Sequence, residues 1–166
     1  FPAPPFQPLG SIGFETRQPL GRPASLPFDN GLGGFDPQTQ AYVIPLAPGT
    51  HTPALWCNVL TNEDFGTLVR ESGLGMTWAP SCGENRLTPW SNAPVADEPG
   101  EGLYLRDEAP AEVWTPTPAP LGHAAECQIR HGKGYTRWTQ FSHEIEQDLI
   151  ALVPTDAPVK LIRLRL

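Results

Sequence analysis

An all-β chain, folded as an antiparallel β-sandwich of two sheets, is what three features of these 166 residues indicate. Proline and glycine number 21 and 16, more than a fifth of the chain, and a helix interior does not tolerate that proline load. Short β-favouring segments recur roughly every ten residues with Gly, Pro, Asn and Asp turns between them, the pattern of a sandwich. Five Trp, seven Phe and three Tyr supply apolar area to bury, which separates the chain from disordered Pro/Gly-rich sequence.

The elements follow in order. Residues 1–27 are Pro-rich with scattered Phe and Leu, and read as an extended arm preceding a sandwich domain over residues 28–166. Within the arm, Gly13-Phe14-Glu15 is the one candidate for a short strand. Asn30-Gly31 and the Gly33 to Pro37 segment mark turns. Residues 41–46 form a strand, and Pro45 inside it indicates an edge or a strand end. Residues 53–62 and 67–71 make a hairpin about Asn62-Glu63-Asp64-Phe65-Gly66. Met76-Thr77-Trp78 leads into a long loop.

Residues 103–106 and 112–114 pair as a second hairpin, closed by Arg106-Asp107. Pro116, Pro118 and Pro120 make an extended connector. Residues 127–130 and 135–141 are strands. Residues 141–153 fit helical and strand spacing alike; the surrounding β pattern decides for strand. Residues 159–166 are the last strand, with Ile162, Leu164 and Leu166 on one face and Arg163 and Arg165 on the other. It runs to the chain end with no polar terminator, which reads as a piece of a longer protein.

Net charge is −7 with pI near 5.0, and no basic block exists, which argues against a nucleic-acid partner. No apolar run approaches membrane-span length, so no direct membrane contact is expected. The opening FPAPPFQPLG lacks the charged and apolar regions of a signal peptide. Cys57, Cys82 and Cys127 leave one cysteine over in any disulfide scheme. They fit reduced thiols and a cytoplasmic setting, with Cys57 and Cys127 buried in strands and Cys82 in the loop.

That loop, ESGLGMTWAPSCGENRLTPWSNAP over residues 71–94, holds the candidate site. Its long irregular part is of a kind that is usually functional. Trp78 and Trp90 offer aromatic planes, and Asn85, Arg86 and Asn92 offer donors and acceptors beside them. Rings cover the C–H faces of a sugar while amides and guanidinium meet its hydroxyls. The competing reading is a proline-stiffened loop whose tryptophans plug the core, with Arg86 paired to Glu84 or Asp107.

Elsewhere the chain offers little chemistry. His51, His123, His131 and His143 have no metal-ligand spacing, and no phosphate loop or GxSxG elbow occurs. Neither a metal nor a cofactor is expected. The acidic pairs Asp97/Glu98 and Glu108/Glu112 lie in turns and read as solvated charges rather than a glycosidase pair.

The segments FDNGLGGFDPQTQAYVI, TPALWCNVLTNEDFGTLVRESGLGMTWA, ENRLTPWSNAPVADEPGEGLYLRDE, VWTPTPAPL, RHGKGYTRW and VPTDAPVKLIRLRL together resemble glycoside hydrolase family 94, formerly glycosyltransferase family 36. The resemblance is nearest to its cyclic β-1,2-glucan synthases and extends to its inverting phosphorylases. It implies a supersandwich of galactose-mutarotase type that precedes a helical catalytic barrel. The general acid and phosphate-binding residues belong to that barrel, so no catalytic residue is expected here. The implied partners are a β-glucan or gluco-oligosaccharide, the parent's barrel, and a second copy of the chain. The parent would be cytoplasmic, attached to the inner membrane. The ENRLTPWSN loop would lie near the mouth of the active site. Ala93, where an acidic residue is expected, and Cys82-Gly83 depart from the pattern. A purely structural interdomain or dimerisation module with no sugar contact is the alternative.

Overall fold

The computed structural model of the chain describes residues 20–91 and 98–166, and among them are eleven strands and no helix. In order they are β1 (Gly34–Phe35), β2 (Tyr42–Leu46), β3 (Cys57–Thr61), β4 (Gly66–Arg70), β5 (Gly73–Trp78), β6 (Leu105–Asp107), β7 (Glu112–Trp114), β8 (Cys127–Gly132), β9 (Tyr135–Ser142), β10 (Ile145–Leu152) and β11 (Leu161–Arg165). All pairings are antiparallel. One sheet runs β1-β2-β8-β9-β10-β11, a second runs β3-β4-β5, and β6-β7 is a small separate hairpin. Pro45 lies past the reach of β1, which pairs only with Tyr42 and Val43. The Gly13-Phe14-Glu15 candidate falls outside the described residues.

Register fixes which side chains meet. Ile44, Ile129, Trp138, Leu149 and Leu164 are successive cross-strand partners, so they form one row on the face turned to the second sheet. Leu60, Val69 and Leu74 of the smaller sheet complete the core with them. Leu26, in the last part of the predicted arm, is also buried, and Pro27 accepts a hydrogen bond from the Phe35 amide at 2.9 Å.

A polar clasp joins the two sheets. Asn58 of β3 donates through Nδ2 to the Gly132 and Tyr135 carbonyls and to Thr136 Oγ1, each at 3.0 Å. His131 touches Thr136 Oγ1 at 2.9 Å through Nδ1 and the Trp56 carbonyl at 3.1 Å through Nε2. One neutral tautomer satisfies both: Nε2–H donates to Trp56, and Nδ1 accepts from the threonine hydroxyl. Burial pushes the His131 pKa down from 6.5 to about 4. The unfolded chain therefore takes up this proton first. The contribution is complete above about pH 6.5 and is lost as pH falls towards 4. Urea unfolding followed from pH 7.5 to 5 should show this as a loss on the order of 2 kcal/mol that His131→Gln abolishes. An unchanged pH dependence in the variant would refute the assignment.

Two departures from the sequence reading have local causes. The 141–153 segment is extended as expected, but its first residues end β9 and turn into β10. His143 and Glu144 make that turn at φ 54° and 60°, a conformation that Asn-Gly announces and His-Glu does not. Trp114 of β7 stacks on the His143 ring at 4.1 Å and Glu112 meets its Nε2 at 3.1 Å, so tertiary contacts hold the turn. Cys57, expected to be buried, is exposed. It shares the outward face of edge strand β3 with Val59 and Thr61, while Leu60 points inward. Cys127 is buried, which pushes its thiol up to about 12. A thiol reagent should therefore modify Cys57 and Cys82 in the native state and Cys127 only after unfolding. Equal rates at all three would contradict this packing.

Candidate functional site

β5 carries the chain to Trp78, and residues 79–91 fold straight back on it. Trp78 and Arg86 form an isolated antiparallel bridge. The Ala79 amide donates to the Asn85 carbonyl at 3.2 Å, and the Asn85 amide donates to the Ser81 carbonyl at 2.9 Å. Leu87 and Thr88 donate backbone bonds to Thr77 at 2.8 and 3.3 Å. The segment that lacks any period in sequence is thus hydrogen-bonded along most of its length.

This geometry separates the predicted site residues. Trp78 is only 9% exposed, and its indole lies over Gly66 of β4, where an added Cβ would come within 2.3 Å of the ring. It therefore serves the core. Trp90 is 36% exposed. The Arg86 guanidinium carbon sits 5.3 Å from the Trp90 ring centroid, a cation–π contact that orients both groups. Arg86 Nε donates to the Cys82 carbonyl at 2.8 Å, and Arg86 makes no ion pair among the described residues, with Glu84 and Asp107 included. Asn85 turns its Nδ2 back to the Ala79 carbonyl at 2.6 Å and braces the loop. Asn92 lies outside the described residues. Arg86 and Trp90 are thus brought together at the surface, Asn85 is exposed but turned back on the loop, and the Trp78 side chain is in the core although its backbone bridges Arg86.

Two residues that sequence reasoning passed over hold this loop from below. Glu101 Oε1 accepts from the Thr88 hydroxyl at 2.9 Å and from the Thr77 hydroxyl at 2.5 Å. Its other oxygen pairs with Lys160 Nζ, which also donates to Thr77 Oγ1 at 2.7 Å. The two side chains are 14% and 12% exposed. Thr88 itself accepts from the Thr77 amide at 2.8 Å. Thr88 stands two residues from both Arg86 and Trp90, so the pair fixes the middle of the loop. Gly100 makes the approach possible: a Cβ there would lie 2.2 Å from the Pro89 carbonyl oxygen. Lys160 and Glu101 are 59 residues apart, and no local pattern links them.

Among the described residues no His, Cys, Asp and Glu are grouped to hold a metal ion. No helix among them is long and apolar enough to cross a membrane.

Core, register and loop together define an all-β sandwich domain. Residues 40–166 match the model of the Glycosyl hydrolase 94 supersandwich domain, and the chain belongs to that family. It is 38% identical over 140 residues to the cyclic beta-(1,2)-glucan synthase NdvB of Rhizobium meliloti (strain 1021), a match covering 84% of this chain and 5% of that protein. It is 32% identical over 109 residues to the N,N'-diacetylchitobiose phosphorylase of Vibrio proteolyticus and 30% identical to that of Vibrio furnissii. Each of these matches covers 64% of this chain and 13% of the phosphorylase. The chain thus spans a small part of the length of each of these relatives.

Proposed function

We propose that this domain serves a β-glucan-processing enzyme by holding the saccharide at the mouth of a catalytic domain elsewhere in the parent protein. The observation that carries the reading is the exposed Arg86–Trp90 pair on a loop hydrogen-bonded to β5 and anchored through Thr88 to Glu101 and Lys160. A ring presented from a braced loop loses little conformational freedom when a sugar C–H face packs on it. The guanidinium beside it keeps donors for hydroxyls, since among the described residues only its Nε hydrogen-bonds, to the Cys82 carbonyl. The relatives, a cyclic β-1,2-glucan synthase and chitobiose phosphorylases, are named for saccharide chemistry. In this reading the parent's helical barrel supplies the catalytic acid, and the isolated sandwich binds gluco-oligosaccharide weakly, roughly millimolar, because it supplies part of a site.

Arg86→Ala and Trp90→Ala in the full-length enzyme test the reading. Each should lower kcat/KM for glucan about tenfold, the loss of one good hydrogen bond or ring contact, with the melting temperature held. Unchanged kcat/KM with a lowered melting temperature would make the loop structural. A second reading, an interdomain or dimerisation module, draws on the exposed Leu161, Ile162 and Leu166 at edge strand β11. Its partner surface would be the parent's barrel or a second copy.

A further inference from the structure

The face of the six-stranded sheet that points away from the core bears a groove of about 420 Å³, lined chiefly by Arg130, Arg137, Arg163, Gln128, Tyr135 and Thr139. Register accounts for the three arginines. Arg130 of β8 lies opposite Arg137 of β9, and Ile150 of β10 lies between Arg137 and Arg163 of β11. Like charges set directly opposite on a sheet repel, so this arrangement needs compensation. Part of it is internal. Arg130 donates through Nη1 to Asp36 at 2.6 Å and through Nε to Gln128 at 3.0 Å. Arg137 donates through Nε and Nη2 to the two oxygens of Asp148 at 2.6 and 2.8 Å. Asp148 is buried, while Arg137 remains 42% exposed.

The two carboxylates hold two guanidiniums in fixed orientation without using all their donors. A guanidinium carries five N–H groups, and each of these arginines uses two in those bonds. Among the described residues Arg163 makes no ion pair and no acidic side chain lines the groove. The three arginines with Asp36 and Asp148 leave one net positive charge, on a chain whose total is −7. A positive concavity on an acidic protein draws anions, and planar forks favour oxyanions with several oxygens.

We propose that this groove binds the phosphate group of a small polar phosphate ester, of the class of a sugar phosphate. Arg130, Arg137 and Arg163 meet the oxyanion. Thr139 and the Tyr135 phenol line the groove beside them and meet the hydroxyls of the organic part, while Gln128, bonded to Arg130 and to the Leu20 and Gly21 carbonyls, forms the groove wall. The groove volume lies in the range of small-molecule sites, which favours an ester over the bare anion. None of these residues belongs to the Arg86–Trp90 loop, so the inference stands apart from the proposed saccharide role.

The test is a titration of the ¹⁵N-labelled chain, read at the arginine Nε–Hε resonances, with glucose 6-phosphate, inorganic phosphate and glucose. Glucose 6-phosphate should give saturable shifts at Arg130, Arg137 and Arg163, weakening as salt is added. Inorganic phosphate should bind several-fold more weakly, and glucose should leave these resonances unmoved. Arg163→Gln, an exposed edge-strand change that preserves the fold, should raise the dissociation constant about tenfold, the expected loss for a charge-assisted hydrogen bond. Absent or non-saturating shifts would overturn the proposal, as would an unaltered dissociation constant in Arg163→Gln. Equal affinity for inorganic phosphate would overturn the assignment to an ester, and equal shifts with glucose would overturn the phosphate.

Discussion

Replacing Glu101 with alanine should lower the stability of the domain by about 3–5 kcal/mol, the usual result of stripping one partner from a largely buried ion pair. Lys160 is 12% exposed, and without the carboxylate its ammonium keeps only Thr77 Oγ1 among its described partners. The Thr77 and Thr88 hydroxyls lose their shared acceptor at the same time. Glu101→Gln keeps an acceptor for the hydroxyls but removes the charge, so it should fall between wild type and alanine. The double change Glu101→Leu with Lys160→Met removes both charges and should recover much of the loss. Urea midpoints at constant m-value measure all three. A Glu101→Ala variant within about 1 kcal/mol of wild type would show the pair to be solvated in solution, since exposed pairs are worth that little. The same variant has a local consequence: with Thr88 released, Trp90 fluorescence should become more quenchable by acrylamide while the core Trp138 stays protected.

How much of this was legible in the sequence depends on the range of the interaction. Alternation and turn chemistry are local, and the strands around residues 42–46, 57–61, 66–70, 127–132 and 161–165 follow from them. The choice of strand over helix for residues 141–153 came from context and holds for 145–152, because Leu149 and Ala151 face a core built by other strands. The His143-Glu144 turn was hidden because its positive φ values are held by Trp114 and Glu112, some thirty residues earlier. Which face of β3 is outward could not be read, since Cys57-Asn58-Val59-Leu60 offers either phase. Asn58 decides it by reaching the β8–β9 turn. In the site, Arg86 and Trp90 were visible because Pro89 and their closeness in sequence bring them together. That tryptophans of this loop plug the core was one of the two readings; that Trp78 does so and Trp90 does not could not be read, because it depends on the empty space above Gly66 on the neighbouring strand. Lys160 read as a residue of the last strand and Glu101 was given no role until the fold joined them.

Trp138→Ala should be the most damaging substitution in the core, at about 3–5 kcal/mol, the range for deleting a buried large aromatic. Trp138 is 0% exposed and sits at the middle of the inner row, between Ile129 and Leu149. It also links the sheets directly. Its Nε1 donates at 3.0 Å to the carbonyl of Glu71, which follows β4 in the smaller sheet. Alanine would leave a cavity between the sheets and a buried carbonyl short of a donor, two costs that add to the lost contact area. Against the 5–15 kcal/mol typical of a domain, such a variant stands near unfolding. Trp138→Phe separates the two terms. Phenylalanine keeps most of the ring and removes the N–H, so it should cost about 1–3 kcal/mol and leave a folded protein whose denaturation midpoint can be measured. If Trp138→Phe were neutral, the bond to Glu71 would carry no weight in joining the sheets. If Trp138→Ala cost less than about 1 kcal/mol, the two sheets would not share the single core described here, because among the described residues no other side chain of that volume lies fully buried.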